Sequence, residues 1–163
     1  MSENDPSADN QQGRLEFASW IIGFVDGEGC FSVSIFRNRT SKFGWQVMPE
    51  FVITQSERDL DVLKDIKAFF GCGNIFVNRR YDNHKRNLYR FCVRKRSDLT
   101  NVIIPFFNQY PLLTKKHLDF ITFKKVVNMM NKKQHFQTKG LNKIAKLVGK
   151  NLERNQEPSE TIR

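Results

Sequence analysis

Two carboxylates alternate with glycines in Asp26-Gly27-Glu28-Gly29, directly after the apolar run Trp20–Val25. A carboxylate needs water, a donor or a cation, whereas the run before it needs burial. Glu28, flanked by Gly27 and Gly29, can bring a carboxylate and a bare backbone carbonyl to one hard cation. Mg²⁺ favours such a site, because it takes few carboxylates and fills its shell with water and phosphate oxygen. An ion held there would assist phosphodiester hydrolysis by activating water and stabilising the leaving oxygen. One glutamate is a thin site, and two copies of the corner from two chains would make a two-metal arrangement. The residues also allow a plainer arrangement, in which Asp26 caps or pairs locally and Glu28 is a surface residue at a strand entry.

The elements around this corner can be read from periodicity. Phe17, Trp20, Ile21, Phe24 and Val25 recur at three and four, which predicts a helix over about Leu15–Asp26. With Ile22 and Gly23 on a further face, that helix is apolar nearly all round and belongs at a centre or an interface. Gly23 and Gly27, four apart, let another backbone approach closely. Cys30–Arg37 alternates as a strand, with Phe31, Val33 and Ile35 on one face and Ser32, Ser34 and Phe36 on the other. Trp45–Thr54 alternates again, with Gln46, Met48, Glu50 and Val52 outward, and Pro49 suggests an edge or a bulge. A helix follows Ser56 and stops at Gly71-Cys72-Gly73. A second hairpin comprises Asn74–Arg80 and Asn87–Lys95, and three further helices follow, the first interrupted near Pro105. In the helix from Lys115, Leu118, Ile121, Thr122, Val126 and Met129 share one face. The order predicts an α+β fold, α-β-β-α-β-β-α with additional C-terminal helices, in which an antiparallel sheet rests one face on helices. Residues 1–13 read as a disordered polar tail, 14–151 as one domain and 152–163 as a second polar tail.

The charge is uneven. Net charge is +10 over 163 residues, which favours a polyanionic partner. Between Phe69 and Arg96 lie eight basic residues and one acid, Asp82. Arg37, Arg39 and Lys42 add to the first hairpin. Concentration on two hairpins points to nucleic acid gripped by a sheet. Strand parity selects as base readers Ser32, Ser34, Phe36, Asn38, Gln46, Met48, Glu50, Asn74, Phe76, Asn78, Arg80, Arg90 and Arg94, with Arg37 and Arg39 on phosphates. No run of about 18 apolar residues occurs, so no membrane span is expected. Three cysteines without metal spacing and a polar, acidic start fit reduced thiols in an intracellular protein.

Ile21–Gly29, written I-I-G-F-V-D-G-E-G, resembles the signature nonapeptide of the LAGLIDADG homing endonucleases, and the order of elements matches that family's half-domain. The resemblance implies a four-stranded saddle-shaped sheet for DNA and a motif helix packed against its counterpart at a dimer centre, through Trp20, Ile21, Gly23, Phe24 and Gly27. It implies that Glu28 binds the divalent metal with the Gly27 carbonyl, and that Asp26 is structural. Gln55, in I-T-Q-S, matches a polar position near the attacking water. In P-L-L-T-K-K (Pro111–Lys116), Lys116 rather than Lys115 matches the lysine near the cleavage centre. Ile-Ile replaces the commoner Leu-Ala at the start of the motif.

A single motif then implies a homodimer on a long pseudo-palindromic duplex. It would use Mg²⁺ or Mn²⁺ for a staggered break with 3′ overhangs, with Ca²⁺ binding but not supporting cleavage. The rival is a non-cleaving nucleic-acid-binding protein such as an intron RNA maturase. A mitochondrial or chloroplast intron would suit the bias to Phe, Lys, Asn and Ile.

Overall fold

The computed structural model describes residues 6–79, 86–150 and 152. The chain runs α1 (Pro6–Glu28), β1 (Gly29–Arg37), β2 (Trp45–Ser56), a short 3₁₀ turn (Glu57–Asp59), α2 (Leu60–Phe70), β3 (Asn74–Asn78) and β4 (Leu88–Val93). A helical segment follows: α3 (Arg96–Asp98), a π-helical stretch (Leu99–Ile103) and α4 (Ile104–Gln109). Then come α5 (Lys116–Asn131) and α6 (Thr138–Leu147). The strands form one antiparallel sheet in the order β1-β2-β4-β3, so the α+β expectation holds.

Helix α1 begins at Pro6, well before Leu15, so residues 6–13 are helical rather than a disordered tail. Proline suits a first helical turn, where its missing N–H would have had no partner. Arg14 anchors this extension by placing its guanidinium 4.7 Å from the centre of the Phe69 ring. The interruption near Pro105 is a π turn, in which the Ile104 N–H donates to the Leu99 carbonyl five residues back. Widening of that kind accommodates the donor that proline lacks.

The β1–β2 register is one-to-one from Gly29↔Ile53 to Arg37↔Trp45 and passes through Val33↔Pro49 without a bulge. Strand β4 pairs β2 only over Phe51–Ser56, so β2 has a free flank at Pro49, where no ladder donor is required. Phe31, Phe51, Ile53, Phe91 and Val93 point to the helical side and are buried. Phe31 lies within 5.0–5.4 Å, ring to ring, of Phe51, Phe107, Phe120 and Phe123, joining sheet, α4 and α5. In α5 the buried face is Phe120, Phe123, Val126, Val127 and Met130. Leu118, read as core, is 65% exposed, because Phe120 and Phe123, on the far side of the helix from it, claim the sheet.

Candidate functional site

Helix α1 delivers the acidic corner. Ala18, Ile21 and Val25 form its buried face, which fixes the rotation of the helix against the sheet. At Gly29 the chain turns straight into β1, and a Cβ there would stand 2.9 Å from the Val25 carbonyl oxygen and 2.6 Å from the Val25 Cγ1. The abrupt helix-to-strand transition therefore depends on a bare backbone at Gly29. Glu28, the last helical residue, is left exposed.

Asp26 ties this corner to the segment before α5. Its carboxylate accepts the Leu113 N–H at 2.8 Å, the Thr114 N–H at 3.3 Å and the Thr114 hydroxyl at 2.6 Å. Lys116 Nζ then donates to the Val25 carbonyl at 2.9 Å and the Gly27 carbonyl at 3.1 Å. Those carbonyls belong to the last turn of α1, where an ammonium complements the helix dipole. Of the two lysines, Lys116 is therefore the one joined to the motif, while Lys115 is exposed. The Gly27 carbonyl already accepts Lys116, but a carbonyl has two lone pairs and can also face a cation. Gln55 is half-buried at the end of β2 opposite Tyr89, two residues beyond the Gly29↔Ile53 pair.

Partial burial alone would raise the Asp26 pKa. The Thr114 hydroxyl and the two amides outweigh it, with help from the Lys116 charge, and hold it below the ordinary 3.8. The folded state therefore binds fewer protons than the unfolded one. This stabilisation is complete above about pH 4 and fades as pH falls through the lower, folded value. Asp26→Asn should cost about 1 kcal/mol at pH 7, after allowance for solvent screening. That difference should shrink below pH 3 in urea denaturation, and an equal difference at both pH values would refute the assignment.

The other face of the sheet is open. Cys30, Ser32, Ser34 and Phe36 of β1 line up with Val52, Glu50, Met48 and Gln46 of β2. Arg90 and Cys92 of β4 share that face, with Asn74, Phe76 and Asn78 of β3. Parity thus put the strand residues read as base readers on one surface. Three of the residues read as contacts need correction. Arg37 lies on the helical parity and stacks its guanidinium 4.1 Å from the Trp45 ring. Asn38 is committed to the hairpin, donating to Gln46 Oε1 at 2.7 Å and accepting from Thr40. Glu50 is only 9% exposed and is bound by Arg94 and Arg90, so it is not a free reader. Arg80 lies outside the described residues. Arg39 is exposed on the first hairpin turn.

The solvent side of α1 carries Trp20, Gly23 and Gly27. Trp20 stacks on Phe17 and Phe24, and a Cβ at Gly23 or Gly27 would meet nothing within 4 Å. Ile21, read as part of a dimer seam, is fully buried in the chain's own core. It lies one residue off the outward row and cannot touch a partner. Thr114 was missed by sequence reasoning. Its only signal was adjacency to Lys115-Lys116, since its partner Asp26 lies 88 residues away.

Comparison with known proteins agrees with this geometry. Residues 21–127 match the family model described as LAGLIDADG endonuclease. A probable intron-encoded endonuclease of Neurospora crassa is 34% identical over 135 residues, 82% of this chain but 24% of the relative. This chain spans about a quarter of the length of this relative and of three other curated relatives that it matches. The crystal structure of the homing endonuclease I-TnaI superposes with a TM-score of 0.72 at 43% identity, over 84% of this chain and 91% of that one. I-SmaMI, bound to an uncleaved DNA target in the presence of calcium ions, superposes at 0.73 with 32% identity, over 81% of this chain and 43% of that one. With motif, sheet and sequence likeness in agreement, the chain belongs to the LAGLIDADG endonuclease family.

Proposed function

We propose that this chain is one subunit of a homodimeric, site-specific endonuclease that hydrolyses both strands of a long pseudo-palindromic DNA site. One observation carries the reading. Glu28 stands exposed at the end of α1, one residue past a carbonyl that holds the Lys116 ammonium, and at the start of an open, arginine-bearing sheet. Ser32, Ser34, Phe36, Gln46, Met48, Asn74, Phe76, Asn78, Arg90 and Arg94 face the bases, and Arg39 meets phosphate. The I-SmaMI complex with DNA supports a duplex as the ligand.

The donors present suit a small hard cation. Glu28 offers one carboxylate, and the end of α1 already gathers a positive group through two carbonyls. Among the described residues no three His, Cys, Asp or Glu cluster as a metal site. The remaining ligands would be water, phosphate and the Glu28 of a second subunit. Glu28 and the Gly27 carbonyl would hold Mg²⁺ or Mn²⁺, and such an ion lends Lewis acidity to the scissile phosphate. Lys116 stabilises the charge that develops there, and Gln55 orients water. Cleavage of the two strands across the minor groove leaves 3′ overhangs. Ca²⁺ binds without supporting cleavage, in keeping with the uncleaved I-SmaMI target.

Trp20, Gly23, Phe24 and Gly27 form the seam with the second subunit, in a C2 arrangement. The near end-to-end match to I-TnaI supports a subunit of this size. Relatives named intron-encoded support an origin in a mobile intron, of a mitochondrion or chloroplast. Among the described residues no helix is long and apolar enough to cross a membrane. The test is incubation with a randomised duplex library and Mg²⁺, followed by sequencing of the ends. A recurrent, roughly symmetric site with 3′ overhangs is expected. Binding without any cut product would overturn the endonuclease reading.

A further inference from the structure

Glu50 is the only acid in the four strands, and it sits in the middle of the face that would meet DNA. A free carboxylate there would repel phosphate. This one is not free. One oxygen, Oε2, accepts Arg94 Nε at 2.7 Å, lies 3.4 Å from Arg90 Nη2 and 3.6 Å from Cys92 Sγ. Glu50 and Arg94 lie just past the end of the β2–β4 pairing, each one residue beyond the terminal Phe51↔Val93 pair. Its side chain is 12% exposed, against 32% for Arg90 and 45% for Arg94. The acid is therefore sunk between two arginines whose side chains stay partly in solvent. Phe76, from β3, lies under the Arg94 guanidinium at 6.0 Å. Burial pushes the Cys92 thiol up, with the Glu50 charge acting the same way, so it stays neutral beside the carboxylate.

We propose that Glu50 is a positioning residue for sequence discrimination, holding Arg90 and Arg94 so that their guanidinium edges meet bases rather than wander to phosphates. The inference rests on the DNA reading above. Arg94 donates to Glu50 from Nε, which leaves its two terminal nitrogens as the fork that suits a guanine edge. A long, flexible side chain held before binding loses less rotamer freedom on contact. Neutralising one of the two positive charges also weakens indiscriminate attraction to the backbone. The acid thus trades non-specific affinity for selectivity.

The test uses the whole chain with Glu50→Met, which keeps volume but removes charge and acceptor, and with Arg94→Lys, which keeps charge but removes the planar fork. Thermal unfolding first establishes that each variant is folded. Affinities are then measured for the selected site, for each single-base variant of it and for random duplex, across a salt series. Glu50→Met should lose about tenfold or more of its discrimination at one to three adjacent base pairs per half-site. Its affinity for random duplex should rise, and its log–log salt slope should steepen by about one to two as the freed arginines reach phosphates. Arg94→Lys should lose discrimination at the same pairs with no steeper slope. Unchanged discrimination and slope in folded Glu50→Met would overturn the proposal. So would a switch to a different preferred base at one position with the slope unchanged, which would make Glu50 itself a reader. Absence of any sequence preference in the unmodified protein would instead sink the DNA-reading assignment on which this one stands.

Discussion

Glu28→Gln protein is expected to bind its duplex site as tightly as the unmodified chain and to cut it about 10²–10³-fold more slowly. The magnitude is the scale on which one group that stabilises reacting charge contributes to an active site. The separation of binding from cutting follows from where the residue sits. Glu28 is exposed at the end of α1, so the amide neither leaves a cavity nor strands a buried partner. What it loses is the negative charge that a small divalent ion requires. The sheet, 29 onward, is untouched, so gel-shift affinity with Ca²⁺ should hold while single-turnover cleavage with Mg²⁺ collapses. Equal cleavage rates for the two proteins would remove Glu28 from the mechanism. Loss of binding and cutting together would mean that its role is to hold the corner in shape.

Gly23→Leu should leave the subunit as stable as before, or slightly more so, and still abolish double-strand cleavage. Within one chain a side chain at position 23 enters open space. Replacing a helix-interior glycine there gains roughly 0.5–1 kcal/mol in helix preference. At a two-fold seam every added side chain appears twice. Overpacking costs about 1–3 kcal/mol per site, and doubled this weakens association by roughly thirtyfold to more than ten-thousandfold. Denaturation and sedimentation should thus move in opposite directions, a pattern that core damage cannot produce. A Gly23→Leu protein that remained dimeric and cut both strands would place the seam elsewhere.

Much of this was legible in the sequence because it depends on neighbours along the chain. Strand parity held through Pro49 because that proline sits where β2 has no second partner. The turn at Gly29 was legible because helix and strand periods meet there. What sequence alone could not supply was rotation and distance. Ile21 and Trp20 are adjacent and both apolar, and only the packed sheet decides that Ile21 faces inward. In α5 the same ambiguity made Leu118 look like core. The N-terminal extension of α1 has no apolar period, and it is steadied by a cation over an aromatic ring from α2. Glu50 and Arg94 lie 44 residues apart, and nothing in either stretch marks them as partners.

The stitching of Asp26 to Leu113 and Thr114, and of Val25 and Gly27 to Lys116, spans 87 to 91 residues of chain. Contacts so distant in sequence form late, after the loop between them has closed. A nascent chain that has emerged only through β4 carries Glu28 but has neither the clasp that orients it nor the lysine beside it. On the proposed reading, cutting competence arrives with the completed subunit and its docking, not with the motif. For a protein whose proposed substrate is duplex DNA, this order of assembly keeps half-made copies from cutting it.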